Sequence, residues 1–264
     1  MVLMNEVKVF HGEDCLKQFK ESLPSFFPIL LDKPVLLKPN MLMNQPANSG
    51  ITTDVRVVKI LAEYLLDKGF KVIVGDGGDA SLSSTMTSFA NNGYVDMCKD
   101  LGIELYDFNK GNMVPKTIGG VQMFINKFAL EYNVISIAKL KRHGTFKATF
   151  TLKNLMGCVM PKGHMHNNFT MKIEDVYNYI NPVFGVVDGI VANGLCENIP
   201  SPLRMDTILA SSNLPYLDMI CSRIVGRSAE HIENLFKKSI TCGEKICDYP
   251  IEELTKLYNE GGIK

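Results

Sequence analysis

The side chains with most chemical reach are gathered in one window. No Asp or Glu occurs between Glu131 and Glu174, and within that gap stand Lys139-Leu-Lys-Arg-His-Gly-Thr-Phe-Lys147, Lys153-Asn-Leu-Met-Gly157 and Lys162-Gly-His-Met-His166. From Lys139 to His166 there are six Lys/Arg and three of the five histidines, in a chain whose 28 basic and 28 acidic residues otherwise cancel. A local cationic excess set among small residues and amides is what an anion site needs. Candidate residues holding the anion are Lys139, Lys141, Asn154 and Lys162, with Lys38 and Asn40 from an earlier Lys-Pro-Asn turn.

Each candidate also has a plainer reading. Lys139, Lys141, Arg142 and His143 follow an apolar strand, and alternation puts Lys139, Lys141 and His143 on one side with Arg142 on the other; a solvated basic loop is the competing account. Lys153 lies among Thr149, Thr151, Leu152, Leu155 and Met156. A lysine in apolar surroundings loses hydration and basicity, which suits proton transfer or covalent chemistry, with Asn154 or a nearby carboxylate to orient it. It would serve equally as a helix C-terminal cap. His164 and His166 have the i, i+2 spacing that lets two imidazoles share a metal, yet no H-E-x-x-H and no adjacent Cys or Asp ligand accompanies them. His143 and His166 are candidates for acid–base work, since imidazole titrates near neutrality. Asp76 and Asp188, at strand ends, are counted with the anion-site residues, where they would offset the cations, bind a cation or act as base; the plainer reading is a helix cap or turn, as for Asp79. Thr53 is placed to cap a helix, and a helix N-terminus also attracts anions.

These residues are carried by alternating elements. Strands are expected at 7–10, 34–38, 71–76, 103–106, 134–138, 183–187 and 207–211, helices at 13–22, 55–68, 172–180, 214–225 and 228–238, and a helix pair over 83–101. Apolar residues at 57, 58, 61, 62 and 65 give one helical face before the stop at Gly69. Residues 109–125 read as irregular, with a hairpin as one form, and 190–205 as an Asn- and Pro-rich loop. The expectation is an α/β fold, with a mostly parallel sheet flanked by helices in Rossmann-like βαβ units. The chain 1–264 is read as one compact domain, with a basic site loop at 139–168 and a peripheral tail from about 243. In such sheets ligands bind beyond the carboxyl ends of strands, where Lys38, Asp76, Lys139 and Asp188 are expected.

The same segments carry a resemblance. Lys38-Pro-Asn40, Thr53 and its helix, Gly75-Asp76, Lys139-x-Lys-x-His143, Leu152-Lys-Asn-Leu-x-Gly157, Lys162…His166, Val187-Asp-Gly189 and Ile208-Leu-Ala-Ser-Ser-x-x-Pro-x-x-Asp218 are similar to the family called domain of unknown function 362, over most of residues 34–240. Members are often fused to ferredoxin-like modules, which implies a ferredoxin-like electron-transfer partner. The iron–sulfur cysteines are absent from this chain. Where the family shows Glu-Gly-x-Gly-Pro, this chain has Asn193-Gly-Leu-Cys-Glu197, which leaves the acidic position without an assigned role. A remoter resemblance, to the nickel-pincer lactate racemase family, implies that Lys153 or Lys162 would stand for a cofactor-bearing lysine and His164 or His166 for a nickel ligand or proton carrier.

Composition narrows the rest. Hydrophobic content of 46% with 21% charged residues is globular, and no apolar run reaches 18 residues. The amino terminus has no basic-then-apolar pattern, so no signal peptide is expected. Seven scattered cysteines without a C-x-x-C pair read as reduced thiols of a cytoplasmic protein. Neither a phosphate-loop nor a G-x-G-x-x-G fingerprint is present, and the cofactor is unknown. The expected function is an enzyme acting on a small anionic metabolite, by proton transfer next to a carboxylate or by a redox step with a partner protein. The alternative is a non-catalytic binding or carrier protein for an anionic cofactor. Nucleic-acid binding is more remote, because the whole chain is neutral and few aromatics interleave the cations. No membrane partner is expected; an oligomer is compatible.

Overall fold

The computed structural model describes residues 6–27, 31–79, 81–144, 150–228 and 246–263. Its strands are β1 (Glu6–His11), β2 (Val35–Lys38), β3 (Val72–Asp76), β4 (Glu104–Asp107), β5 (Met113–Ile118), β6 (Val121–Asn126), β7 (Asn133–Lys141), β8 (Val159–Met160), β9 (Phe184–Asn193), β10 (Pro202–Ser211) and β11 (Ile246–Cys247). Eight of them form one sheet in the order β11-β1-β10-β9-β7-β2-β3-β4, while β5, β6 and β8 form a small antiparallel sheet. β4, β3, β2, β7 and β9 are mutually parallel, and β10 runs against both β9 and β1. The fold is the expected α/β architecture with a mostly parallel sheet.

The central strands are buried throughout, and apolar except at Asn133, Ser136 and their carboxyl ends, because both faces are covered. Val35 and Leu37 of β2, Val72 and Val74 of β3, and Ile135 and Ile137 of β7 meet the helices α1 (Cys15–Phe26), α2 (Val55–Asp67), α3 (Thr85–Asn91) and α4 (Tyr94–Leu101). Leu36, Ile73 and Val134 face the other way, towards the β5–β6 hairpin, the short helices α5 (Lys127–Glu131) and α6 (Thr151–Asn154), and α7 (Phe169–Ile180). Ala138, Leu140 and Val187 pack on α8 (Leu214–Ile224) and the C-terminal helix Ile251–Asn259. In α2 the Asp54 carboxylate accepts the Arg56 N–H, and Val57, Val58, Leu61, Ala62 and Leu65 are all buried. Burying each Val or Leu there contributes about 1.5–3 kcal/mol, more than intrinsic helix propensity supplies.

The structure departs from the sequence reading at three places. β7 runs on to Lys141, so Lys139 and Lys141 belong to the strand and not to a loop after it. β9 continues through Asp188-Gly189 to Asn193, so Asp188 is inside a strand, and the loop expected at 190–205 shrinks to 194–201. Asp-Gly reads as a turn, but here Gly189 pairs with Thr207, and a Cβ on it would stand 3.1 Å from the Thr207 carbonyl oxygen. Residues 113–126 take the hairpin form among the two read for that stretch, turning at Gly119-Gly120, both with positive φ. Finally, the tail expected to be peripheral adds β11 to the sheet edge and buries Leu254 and Tyr258. Of the helix expected at 228–238, all but residue 228 lies outside the described residues.

The chain fills the sheet from β2 outward through β3 to β4, then returns to place β7 on the opposite side of β2. Connections therefore leave β2 and β7 in opposite directions, which opens a crevice above their carboxyl ends. Lys38 ends β2, and Lys139 and Lys141 end β7.

Candidate anion site at the ends of β2, β3 and β7

A cavity of about 170 Å³ occupies that crevice, and Lys38, Asn40, Asp76, Lys139, Lys141, His143, Lys153, Asn154, Lys162 and His166 are among the residues lining it. Residues from five separate stretches of sequence thus converge.

The floor is an ion pair. Lys38 Nζ donates to Asp76 Oδ1 at 2.6 Å, to Asn154 Oδ1 at 3.0 Å and to the Pro39 carbonyl at 3.2 Å, with the lysine fully buried. The other Asp76 oxygen accepts the Met41 N–H at 2.8 Å. Asn154 Nδ2 donates back to the Lys38 carbonyl and to Ser136 Oγ. A buried charge persists when its hydrogen bonds are filled in this way. Space beside the pair is tight: a Cβ on Gly157 would stand 2.0 Å from Asp76 Oδ1, and one on Gly77 would stand 2.6 Å from the Gly157 carbonyl oxygen.

A second buried pair supports the β7 side. Lys139 Nζ donates to Asp188 Oδ2 at 2.8 Å, and the same oxygen accepts the Asp54 N–H at 2.8 Å while Oδ1 accepts Ile190 N–H. Asp188 thereby ties β7 and β9 to the start of α2 from behind the cavity. Thr53 is also behind it, with Oγ1 donating to the Ile137 carbonyl and accepting the Asn40 N–H. Both were candidate site residues, and here they position Lys139 and Asn40.

Lys141 Nζ donates to Asn40 Oδ1 at 3.0 Å and to the Ile51 carbonyl at 2.9 Å, and Lys162 Nζ donates to Asn109 Oδ1 at 2.5 Å. Lys153 stands on α6. Among the described residues, no carboxylate lies within 4 Å of the ammonium groups of Lys141, Lys153 or Lys162. Burial drives Lys141 down to about 7, helped by the charge of Lys153. Burial likewise lowers Lys153 to about 8, against the attraction of Glu197. Burial lowers Lys162 as well. His143 Nε2 is 3.1 Å from Glu197 Oε1, and Glu197 Oε2 accepts the Gly144 N–H. Burial and the Lys153 charge hold His143 down to about 3, so the imidazole is neutral at pH 7. Burial opposes the charge on Glu197, but the Gly144 N–H and the nearby cations win and lower it.

Arg142 also lines the cavity, but its guanidinium is engaged elsewhere: it donates to the Val225 and Gly194 carbonyls and stacks over Tyr258 at 5.0 Å. His166 lines the cavity, whereas His164 does not, and both are exposed. Among the described residues no three His, Cys, Asp or Glu side chains gather as a metal site would require. His164 and His166 therefore lack further metal ligands among the described residues.

Two contributors were missed from sequence. Glu197 was left without a role, because its family position is displaced along the loop. Asp218 appeared only as a motif position. It is fully buried on α8 and accepts the N–H groups of Phe150 (3.1 Å), Thr151 (2.8 Å) and Leu152 (3.0 Å) and the Thr151 hydroxyl (2.6 Å). Those bonds fix the start of the helix that carries Lys153 and Asn154. Burial raises Asp218 to about 6 despite them.

Comparison with known proteins agrees with the sequence resemblance. The model of the family described as domain of unknown function (DUF362) matches residues 35–223. The thylakoid-associated protein sll1697 of Synechocystis sp. is 29% identical over 205 residues, covering 72% of this chain and 62% of that protein. The chain thus spans less than two thirds of that relative's length. The lactate racemase apoprotein from Thermoanaerobacterium thermosaccharolyticum superposes with a TM-score of 0.47 at 13% identity, over 83% of this chain and 56% of the other. No helix among the described residues is long and apolar enough to cross a membrane.

Proposed function

The chain belongs to the DUF362 family, and we propose that it is an enzyme that moves a proton next to the carboxylate of a small anionic metabolite. One observation carries this reading: Lys141, which is buried, and Lys153, which is half-buried, share a cavity with no carboxylate partner within 4 Å among the described residues, and their pKa values fall to about 7 and about 8. A proton carrier works best when its pKa is near the working pH. The cavity of about 170 Å³ is smaller than the roughly 300–1,000 Å³ of pockets for drug-sized ligands, so a substrate of a few heavy atoms fits it best.

In this reading Lys141 and Lys162 hold the carboxylate, and the Lys38–Asp76–Asn154 network keeps the floor rigid. Lys153 in its neutral form takes the proton from the adjacent carbon. The oxyanion that develops is stabilised by the same ammonium groups, where low dielectric strengthens the attraction. Neutral His143, hydrogen-bonded to Glu197, is placed to pass the proton on. The test is exchange in deuterium oxide, with a panel of short 2-hydroxy and 2-oxo acids followed by proton NMR. Loss of the signal beside the carboxylate (beside the carbonyl in 2-oxo acids) is expected with the native protein and not with Lys153→Met. Tight binding of an acid that never exchanges would overturn the enzyme reading in favour of a carrier.

A further inference from the structure

The five lysines lining the cavity are not equivalent. Lys38 is held by Asp76, Asn154 and the Pro39 carbonyl, and Lys139 by Asp188. Lys141 is held by Asn40 and the Ile51 carbonyl, and Lys162 by Asn109. Lys153 Nζ, by contrast, has no hydrogen-bond acceptor among the described residues. Its backbone is nevertheless fixed, because Asp218 grips the first turn of α6 through four hydrogen bonds. The nearby carboxylate, Glu197, is engaged by the Gly144 N–H and His143. A rigidly mounted amine with no acceptor among the described residues, close enough to Lys141 to lower its basicity, is arranged for attack on an electrophile and not for an ion pair. Cationic neighbours and desolvation are how proteins make a lysine nucleophilic.

We propose that Lys153 forms an imine with the carbonyl carbon of a short 2-oxo acid whose carboxylate rests on Lys141 and Lys162. The proposal rests on the reading of the cavity as a site for a small carboxylate. The neutral amine of Lys153 adds to the carbonyl carbon, and the C=O π pair moves to oxygen, which takes a proton from the Lys141 ammonium. The carbinolamine nitrogen then returns a proton to Lys141. The hydroxyl, protonated in turn, leaves as water when the C=N bond forms. The balance is amine plus carbonyl giving imine plus water, with no oxidant or reductant. The imine draws electrons from the adjacent carbon and acidifies its proton; Lys141, left neutral once the water has departed, takes that proton in place of Lys153, which links this step to the proton transfer proposed above. Lys141 suits the shuttle because its pKa lies at about 7.

The experiment is reductive trapping of the full chain. Protein is incubated with glyoxylate, pyruvate or acetoacetate, cyanoborohydride is added, and intact mass and peptide maps are read. Glyoxylate and pyruvate should each add the mass of one acid less one oxygen atom on Lys153, since water is lost and two hydrogens are gained. Labelling should be at least tenfold faster than on surface lysines. Lys153→Arg keeps the charge and cannot form the imine, so it should lose the fast label with an unchanged melting temperature; Lys153→Met provides a second test if the arginine variant is poorly folded. Fast labelling that persists in either variant overturns the assignment, and labelling by acetoacetate alone overturns the 2-oxo class. If proton exchange occurs in deuterium oxide but nothing is trapped, the imine fails while the function reading stands. If neither occurs, both fall.

Discussion

Lys153 and Asn154 are adjacent in sequence, yet they serve opposite sides of the site. The sequence reading had Asn154 orient Lys153. On a helix successive side chains diverge by about 100°, and i, i+1 neighbours do not face each other. Asn154 accordingly reaches down to Lys38 and Ser136, leaving Lys153 without it. The chemical character of Lys153 was legible from its apolar neighbours, but its partners depended on helix phase and on Glu197, 44 residues further on. Two consequences are measurable. Lys141 and Lys153 bind protons less readily in the folded chain than in the unfolded one, where lysine stays near 10.5. Between about pH 7 and pH 9 the unfolded chain therefore holds more protons, and stability rises with pH. Above that range the buried thiols, raised from 9.0 by burial, act in the opposite direction. Melting temperature should climb from pH 7 to pH 9, and the slope should flatten in Lys153→Met, which removes one such group and relieves Lys141 of its charge. At pH 7 the same variant should be as stable as the parent or more so, by up to about 1–2 kcal/mol, since it discards a desolvated ammonium. A variant melting several degrees lower would make Lys153 a structural residue.

At the level of elements, the four-residue helix α6 is too short to stand on propensity. It exists because Asp218 accepts three backbone N–H groups and a hydroxyl at its start, and because Ser136 Oγ donates to the Thr151 carbonyl. Nothing in the periodicity of residues 150–157 reveals this, since the carboxylate arrives from α8, more than sixty residues later. The long elements were legible for the opposite reason. α2 carries its five-residue apolar face and its Asp54 cap within one local stretch, and β2, β3 and β7 are apolar runs that only a doubly covered sheet accommodates. Asp218→Asn keeps the volume but turns an amide N–H₂ towards backbone donors. Leaving a buried donor unsatisfied costs about 1–3 kcal/mol. The variant should therefore lose about 2–3 kcal/mol in denaturant unfolding, seen as a lower midpoint with an unchanged m-value. Proton exchange should fall more steeply than this loss accounts for, because α6 also aims Lys153. An unchanged midpoint would show that α6 is held by something else.

For the whole molecule, the acid-free window located the site because it counted charge, and it could not show how that charge is spent. The acids that answer it lie outside: Asp76 on β3, Asp188 on β9 and Glu197 in the following loop. They take up Lys38, Lys139 and His143 and leave Lys141, Lys153 and Lys162 without a carboxylate within 4 Å among the described residues. The excess facing the cavity is thus about half of what the sequence displays, and it sits where the strand order turns back at β2 and β7. A dianion that fills the cavity should bind the folded chain alone and stabilise it by mass action, about 2.7 kcal/mol at a hundred times its Kd. For a chain of this size that is a rise of several degrees in melting temperature. Oxalate is the probe, compared with chloride at equal ionic strength. General salt effects on burial act on any folded chain, so Lys141→Met/Lys162→Met separates them: it should keep the chloride response and lose the oxalate increment. The increment should also shrink from pH 7 to pH 9 as Lys141 and Lys153 lose their protons. An oxalate effect equal in parent and double variant, and flat with pH, would place the anion elsewhere.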